Sequence, residues 1–169
     1  MEPSKKCDQI SYLSDEIPKV SDKFEQIFSP ETAYQMISML EGVVQRGTGR
    51  KLKHLNLNLA GKTGTTNNNT DTWFIGFTSK LVVGIYVGFD EPASLGRYET
   101  GGKTAMPIFK KFILNSISKQ DATPFKVPDG IVMMVVDPAT GQKVDFNSKN
   151  SIYESFKEKK MGEVDIENN

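Results

Sequence analysis

The sequence predicts an α+β fold in which helices flank an antiparallel sheet and a small β-hairpin follows near the C-terminus. An amphipathic helix pattern begins after Ser29 and ends at Gly47. Two alternating strands, Thr72–Phe77 and Leu81–Phe89, are joined by a short turn, which indicates an antiparallel pair. A second helix pattern covers Thr104–Ile117. The 169 residues suffice for one domain with its own core.

The first predicted helix has signals at both ends. Ser29 suits the N-cap, Pro30 fits the first helical position, and Glu31 interacts favourably with the positive end of the helix dipole. Gly47 supplies the stop. Apolar residues recur at spacings of three and four, at Ala33, Met36, Ile37, Leu40, Val43 and Val44. The first 28 residues lack such periodicity, and we expect irregular structure there with one short strand near Ile10–Leu13.

The central strands combine large apolar residues with glycines. A strand over residues 59–66 is expected to precede the pair. Gly76, Gly84 and Gly88 predict a face of low side-chain volume on which a helix can pack closely. Trp73 is expected to pack against a terminal helix because of the area that its ring buries. In the second helix, Ile108, Phe109, Phe112 and Ile113 form the predicted apolar side.

The C-terminal third reads as a small appendage. The turn Pro128-Asp129-Gly130 precedes an apolar strand, Ile131–Val136, which we expect to form a hairpin with Lys143–Phe146. A short helix is predicted near Ile152–Lys159. The chain then divides into an irregular N-terminal segment (1–28), a main unit (29–120), a β appendage (121–146) and a polar tail (147–169).

Composition excludes several classes of function. Twenty-one basic and twenty-one acidic side chains cancel, so no net field favours nucleic acid or an anionic membrane. Cys7 and His54 are the single residues of their kinds, so neither a cysteine cluster nor a multi-histidine metal site is expected, and no cofactor is predicted. No apolar run is long enough to span a bilayer, and the N-terminus does not read as a signal peptide, so we expect no membrane segment and no export of this chain alone.

The run Leu59–Thr66, Leu-Ala-Gly-Lys-Thr-Gly-Thr-Thr, combines a cation, three hydroxyls and two glycines, which makes it the first candidate for a binding site. On a strand, Thr63 and Thr65 point to one face, and their hydroxyls, about 6–7 Å apart, can bracket one carboxylate. An unpaired backbone N–H of Thr65 can stabilise an oxyanion, and Gly64 permits close approach. Lys62 can curl around the strand edge and bring a positive charge. The alternative is a solvated edge without function.

Two glycine-rich stretches resemble a phosphate-binding loop incompletely. Gly61-Lys62-Thr63 lacks the glycine five positions earlier, where Asn56 stands. The stretch Gly96–Thr104 has one residue too many between its first glycine and its lysine, although a helix follows. Because the backbone N–H groups of such a loop must converge, this spacing disfavours nucleotide binding, which stays open as an alternative.

Six sequence blocks within Ser29–Ile117 carry a family resemblance. They are residues 29–34 (SPETAY), 43–49 (VVQRGTG), 59–67 (LAGKTGTTN), 71–78 (DTWFIGFT), 87–90 (VGFD) and 99–102 (ETGG). In order and spacing they resemble the C-terminal half of the transpeptidase domain of class A penicillin-binding proteins, which are serine D,D-transpeptidases. The resemblance implies a partial β-lactamase-like fold and action on peptidoglycan stem peptides, with β-lactams as covalent ligands.

The resemblance also implies roles for individual residues. Lys62 would support the reacting centre electrostatically and in the proton network. Thr63, Gly64, Thr65 and Thr66 would bind substrate, with the Thr65 N–H as an oxyanion donor. The Arg46–Gly49 loop would border the cleft. The resemblance also implies a role in cell-wall synthesis at the periplasmic face of the inner membrane.

The nucleophile of this family is the element that the sequence lacks. It lies in a Ser-x-x-Lys motif, accompanied by Ser-x-Asn, and both precede Lys-Thr-Gly, but nothing before Lys62 matches either. Matches at Ser116–Lys119 and Ser148–Asn150 lie downstream and are interpreted as coincidental. Without a nucleophile no acyl-enzyme forms, so we expect this chain to be inactive alone. A non-catalytic domain that binds stem peptides is the second hypothesis.

Overall fold

A computed structural model describes residues 25–118 and 122–158. Its elements in chain order are α1 (Pro30–Gln45), a 3₁₀ helix (Arg50–Leu55), β1 (Ala60–Thr65), β2 (Asp71–Phe77), β3 (Val82–Gly88), α2 (Ala105–Ser116), β4 (Ile131–Val136) and β5 (Ile152–Lys157). The predicted α+β fold with an antiparallel sheet is confirmed. The strand expected near Ile10–Leu13 lies outside the described residues. Neither α-helix of the described part is long and apolar enough to cross a bilayer.

Helix α1 begins and ends where its sequence signals predict. The Ser29 hydroxyl accepts a hydrogen bond from the backbone N–H of Thr32 at 3.3 Å, and Pro30 opens the helix. At the other end, the Gly47 N–H donates to the carbonyls of Gly42 and Val43 at 3.2 and 3.1 Å. These bonds satisfy helix-terminal groups that would otherwise lack partners.

The main sheet has the order β1-β2-β3, and both pairings are antiparallel. Helix α2 covers one face, where the rings of Phe74 and Phe109 meet edge to face at 4.8 Å between centroids. A Cβ added to Gly76 would lie 2.6 Å from the Phe109 ring, so this glycine permits the close packing of α2. The prediction is right for Gly76 and wrong for Gly84 and Gly88, because the strand register places those two on the opposite face.

The core forms between the sheet, α2, the end of α1 and the 3₁₀ helix. Its buried residues are Val44, Leu52, Leu59, Phe74, Ala105, Met106, Phe109 and Ile113. Of the predicted apolar side of α2, Phe109 and Ile113 are fully buried, whereas Ile108 and Phe112 are about half exposed. The buried side of α2 therefore also uses the small Ala105 and the flexible Met106.

The expectation for Trp73 is wrong. Trp73 lies on the sheet face opposite α2, is 44% exposed, and contacts the Tyr86 ring of β3 at a centroid distance of 4.9 Å. Its neighbour Phe74 takes the inward position, together with Thr72 and Gly76. Alternation along a strand sends adjacent aromatic residues to opposite faces, so only one of the two can meet the helix.

The C-terminal hairpin forms with a different partner strand from the predicted one. Strand β4 pairs antiparallel with β5, and the predicted partner segment, Lys143–Phe146, contributes a single bridge between Lys143 and Val136. The helix expected near Ile152–Lys159 is therefore wrong. Ile, Tyr and Phe in β5 favour a strand, and cross-strand pairing with β4 satisfies the backbone groups that a local helix would have paired. The division of the chain into domains stays a prediction.

Ser155 in β5 offers a test of the hairpin's packing. Its side chain is 4% exposed, and its hydroxyl has no hydrogen-bond partner among the described residues. Since a buried unpaired hydroxyl is destabilising, we expect Ser155→Ala to raise the free energy of unfolding by about 1 kcal/mol. Urea denaturation followed by circular dichroism measures this change. A loss of stability would mean that the hydroxyl has a bonded partner, such as an ordered water.

Candidate active site at the edge of strand β1

The open edge of β1 presents a backbone donor and a positive charge. The Thr66 N–H donates to the Asp71 carbonyl at 3.1 Å. Because hydrogen-bonding direction alternates along an antiparallel ladder, the N–H of Thr65 and the carbonyl of Thr63 point away from β2. The Lys62 ammonium donates to that Thr63 carbonyl at 2.8 Å. The lysine thus lies along the edge where an incoming peptide would pair.

The two threonine hydroxyls of the strand are each held by a different loop. Thr63 Oγ1 lies 3.0 Å from the hydroxyl of Thr48, which follows α1. Thr65 Oγ1 accepts a hydrogen bond from the Gly101 N–H at 3.0 Å. The register pairs Thr63 with Phe74 of β2, so both hydroxyls share the sheet face that α2 covers further along.

An open depression of about 720 Å³ surrounds these hydroxyls. Its lining consists of Gly47, Thr48, Arg50, Lys51, Thr63, Thr65, Thr100, Gly102 and Lys103. Three of the lining side chains are cationic and none is a carboxylate, although the Lys103 ammonium pairs with Glu99 at 2.5 Å. This charge favours an anionic ligand. Sequence reasoning missed Arg50 and Lys51, since no motif marks them.

Gly101 lets the loop before α2 cross over the sheet. A Cβ at this position would lie 2.3 Å from the Trp73 carbonyl oxygen and 2.6 Å from that of Gly64. Gly102 is less crowded, since its nearest contacts would be the Thr48 carbonyl at 3.6 Å and the Thr63 methyl at 3.8 Å. The first glycine is therefore required by close backbone approach, and the second lies at the floor of the depression.

The Thr66 hydroxyl is engaged in its own turn. It accepts hydrogen bonds from the backbone N–H groups of Thr70 and Asp71, both at 3.0 Å, and Thr66 does not line the depression. The Asn69 amide nitrogen donates to the carbonyls of Gly96 and Arg97 at 3.0 and 2.9 Å. This turn therefore anchors the loop that forms the far wall. A substrate role for Thr66 stays a prediction.

The segment Gly96–Thr104 serves as that wall of the cleft. Its lysine, Lys103, is paired with Glu99 four residues earlier, and its Gly101 N–H is bonded to Thr65. These contacts occupy groups that a phosphate would need, which disfavours a nucleotide site here. The downstream serines also lie apart: Ser116 is the last residue of α2, and Ser148 lies in the connection between β4 and β5. Neither lines the depression, and Lys119 is outside the described residues.

Tyr86 and Asp71 form a hydrogen-bonded pair on the exposed face of the sheet. The Tyr86 hydroxyl donates to the Asp71 carboxylate at 2.7 Å, and this bond raises the pKa of Tyr86, with smaller effects from desolvation and from the charges of Asp71 and Asp90. We expect Asp71→Asn to lower the pKa of Tyr86, because the bond to a charged acceptor opposes loss of the proton. Ultraviolet titration of the phenolate, with Tyr86→Phe to assign the signal, measures the shift. An unchanged titration curve would contradict the pairing.

Comparison with known proteins agrees with this geometry. The family model of the penicillin-binding protein transpeptidase domain matches residues 9–114, which is more than half of the chain. The chain belongs to the penicillin-binding protein transpeptidase family. The class A resemblance of the sequence blocks is confirmed by relatives, each called penicillin-binding protein 1A. That of Rickettsia bellii is 45% identical over 142 residues, and that of Pseudomonas aeruginosa 42% identical over 134.

The transpeptidase match covers most of this chain and a small part of its relatives. The aligned region is 84% of this chain and 17% of the Rickettsia bellii protein, and 79% and 16% for the Pseudomonas aeruginosa protein. The crystal structure of penicillin-binding protein 1A from Haemophilus influenzae superposes with a TM-score of 0.65 and 31% identity, over 75% of this chain and 20% of that one. The family is therefore shown both by sequence and by fold.

Proposed function

We propose that this chain supplies the carboxylate- and oxyanion-binding half of a D,D-transpeptidase site that cross-links peptidoglycan stem peptides. The observation that carries the proposal is the β1 edge: the Lys62 ammonium is held at the Thr63 carbonyl, the Thr65 N–H points outward, and the Thr63 and Thr65 hydroxyls line the adjoining depression. The cation-lined depression beside them favours the C-terminal carboxylate of a stem peptide. Membership of the penicillin-binding protein transpeptidase family supports peptidoglycan as the substrate class.

In the proposed reaction, this chain binds the substrate and stabilises the oxyanion, and another segment supplies the nucleophile. A serine oxygen would attack the carbonyl carbon of the penultimate residue, forming an ester as the peptide C–N bond breaks and the terminal amino acid leaves with a proton. The Thr65 N–H would stabilise the oxyanion, and Thr63 and Thr65 would hold the departing residue's carboxylate. No Ser-x-x-Lys precedes Lys62 in this sequence, so the serine must come from another segment. A β-lactam would acylate that serine in place of the peptide, on the periplasmic face of the inner membrane.

Reconstitution tests the proposal. The chain is co-expressed with the segment of the Pseudomonas aeruginosa relative that directly precedes the matched region, where the family resemblance places the Ser-x-x-Lys motif. Fluorescent penicillin is then added, and labelled polypeptides are resolved on a denaturing gel. We expect covalent label on the added segment only when both polypeptides are present. Label on this chain alone would contradict the missing serine, and an unlabelled pair that nevertheless forms a stable complex would contradict the proposed function.

Non-catalytic binding of stem peptides is the second candidate function. It is favoured by the hydroxyls and cations at the depression, which can hold a peptide carboxylate without a covalent step. Titration of the chain with a peptide ending in D-Ala-D-Ala, followed by NMR, detects such binding. The same peptide with a C-terminal amide is the control, because it lacks the carboxylate that Thr63 and Thr65 would hold. Equal binding of both peptides would contradict a carboxylate site.

A further inference from the structure

We propose that Glu154 of β5 is a positioning residue for this site. It pairs with Arg46 at the end of α1, and the chain runs from Arg46 through Gly47 to Thr48, whose hydroxyl contacts Thr63. The C-terminal hairpin would thereby set the geometry of the Lys-Thr-Gly strand from outside the depression. The inference rests on the proposed function for its consequence in ligand binding, but the coupling itself is independent of any ligand.

Strand β5 docks on α1 along a single stripe of the helix. The α1 members of the stripe recur at spacings of three and four, so they face the strand together. The contacts are Lys157 Nζ to Thr32 Oγ1 at 2.8 Å, Gln35 Nε2 to the Ser155 carbonyl at 3.3 Å, Ser38 Oγ to Glu154 Oε1 at 3.1 Å, and Arg46 Nη2 to Glu154 Oε2 at 3.1 Å. Glu154 thus uses both carboxylate oxygens to hold two positions of α1.

Gly42 completes the stripe between Ser38 and Arg46. A Cβ at Gly42 would lie 2.9 Å from Arg46 Nη2 and 3.0 Å from Cζ. The guanidinium therefore lies over the glycine, in space that any side chain would take. A side chain at this position would displace the Arg46 guanidinium from its present path to Glu154.

The end of α1 is tied rigidly to the depression. The Gly47 N–H bonds to the Gly42 and Val43 carbonyls, and the Gly49 N–H bonds to the Val43 carbonyl at 2.9 Å. Thr48 lies between these two fixed residues, and its hydroxyl is 3.0 Å from that of Thr63. A change in the last turn of α1 is therefore transmitted through one residue to the hydroxyl that would bind carboxylate.

The expected effect is moderate because the ion pair is partly solvated. The Arg46 and Glu154 side chains are 43% and 23% exposed. Pairs of this kind contribute little to stability, and the corresponding change in ligand affinity is about twofold to fivefold. If the ion pair between Arg46 and Glu154 only stabilised the fold, its removal would leave the Thr48 and Thr63 methyl resonances unchanged. NMR of these two methyl groups is therefore the decisive readout.

The experiment uses the whole chain labelled with ¹³C at threonine methyl groups. We expect Glu154→Ala to shift the Thr48 and Thr63 methyl resonances, and Glu154→Gln to shift them less, since its amide oxygen still accepts one hydrogen bond. Gly42→Ala is expected to move the same two resonances while leaving the hairpin intact. It should not destabilise α1, because alanine favours the helix more than glycine does. Agreement between these variants would support the coupling.

The matched control is Lys157→Met, which breaks the contact of β5 with Thr32 at the opposite end of α1. It should shift the Thr32 methyl and leave Thr48 and Thr63 in place. Unchanged Thr48 and Thr63 resonances in Gly42→Ala, or equal shifts in Lys157→Met, would overturn the proposal. The D-Ala-D-Ala peptide titration then gives the affinity change in Glu154→Ala. If the unaltered chain binds no peptide and reconstitution gives no label, the proposed function fails, whereas the methyl shifts still decide the coupling.

Discussion

Gly101→Ala is expected to lower the free energy of unfolding by about 3 kcal/mol, at the upper end of what overpacking costs. The added methyl would lie 2.3 and 2.6 Å from the carbonyl oxygens of Trp73 and Gly64. Both oxygens belong to the backbone of paired strands, so neither can move without breaking the ladder between β1 and β2. The urea midpoint of the alanine variant, followed by circular dichroism, measures the loss.

Gly102→Ala is the matched control for this prediction. Its methyl would meet nothing closer than 3.6 Å, so we expect a stability change within about 0.5 kcal/mol. The two substitutions add the same group to adjacent residues, so a difference between them reports local crowding and not a general cost of removing glycine from the loop. Equal stability of the two variants would contradict the close approach of the loop to the sheet.

The second large effect is expected at Lys62, in the reconstituted pair described above. Lys62→Ala should reduce the rate of acylation by fluorescent penicillin by about 10²–10³-fold, as loss of a preorganised stabilising group does in other acyl-transfer sites. The physical reason is removal of the ammonium held at the Thr63 carbonyl on the strand edge. Since Lys62 is exposed, stability should change little. The time course of labelling on gels gives the rate.

Lys53→Ala provides the control for charge removal alone. Lys53 is an exposed residue of the 3₁₀ helix and does not line the depression. We expect its labelling rate to stay within about twofold of the unaltered chain, because exposed charges interact weakly through solvent. A Lys62→Ala rate equal to that of Lys53→Ala would refute an electrostatic role for Lys62 in acylation.

The main sheet and its helices could be predicted because each carries a strong local signal. Ser29 and Gly47 bound α1 as expected, and alternation located β2 and β3. The orientation of β2 could not be predicted, since Trp73 and Phe74 are both aromatic and either could face α2. Strand β5 was missed because its stability comes from pairing with β4, a partner distant in sequence, and local patterns do not contain that information.

Only the part of the candidate site that lies in one continuous segment could be predicted from the sequence. The Lys-Thr-Gly strand was found from residue types, and its chemistry follows from strand geometry. The contacts that complete the depression come from residues far along the chain, such as the Gly101 N–H on Thr65 and the Thr48 hydroxyl on Thr63. Glu154 has no motif at all, and it gains its proposed role only through the docking of β5 on α1.

The bond from the Gly101 N–H to Thr65 Oγ1 has a consequence for the entropy of ligand capture. An amide donor fills one lone pair of the hydroxyl and fixes its rotamer, while the hydroxyl hydrogen stays free to turn toward an acceptor in the cleft. An arriving carboxylate therefore meets a preset donor and does not have to immobilise a freely rotating side chain. The loop before α2 therefore orders the Thr65 hydroxyl before any peptide binds.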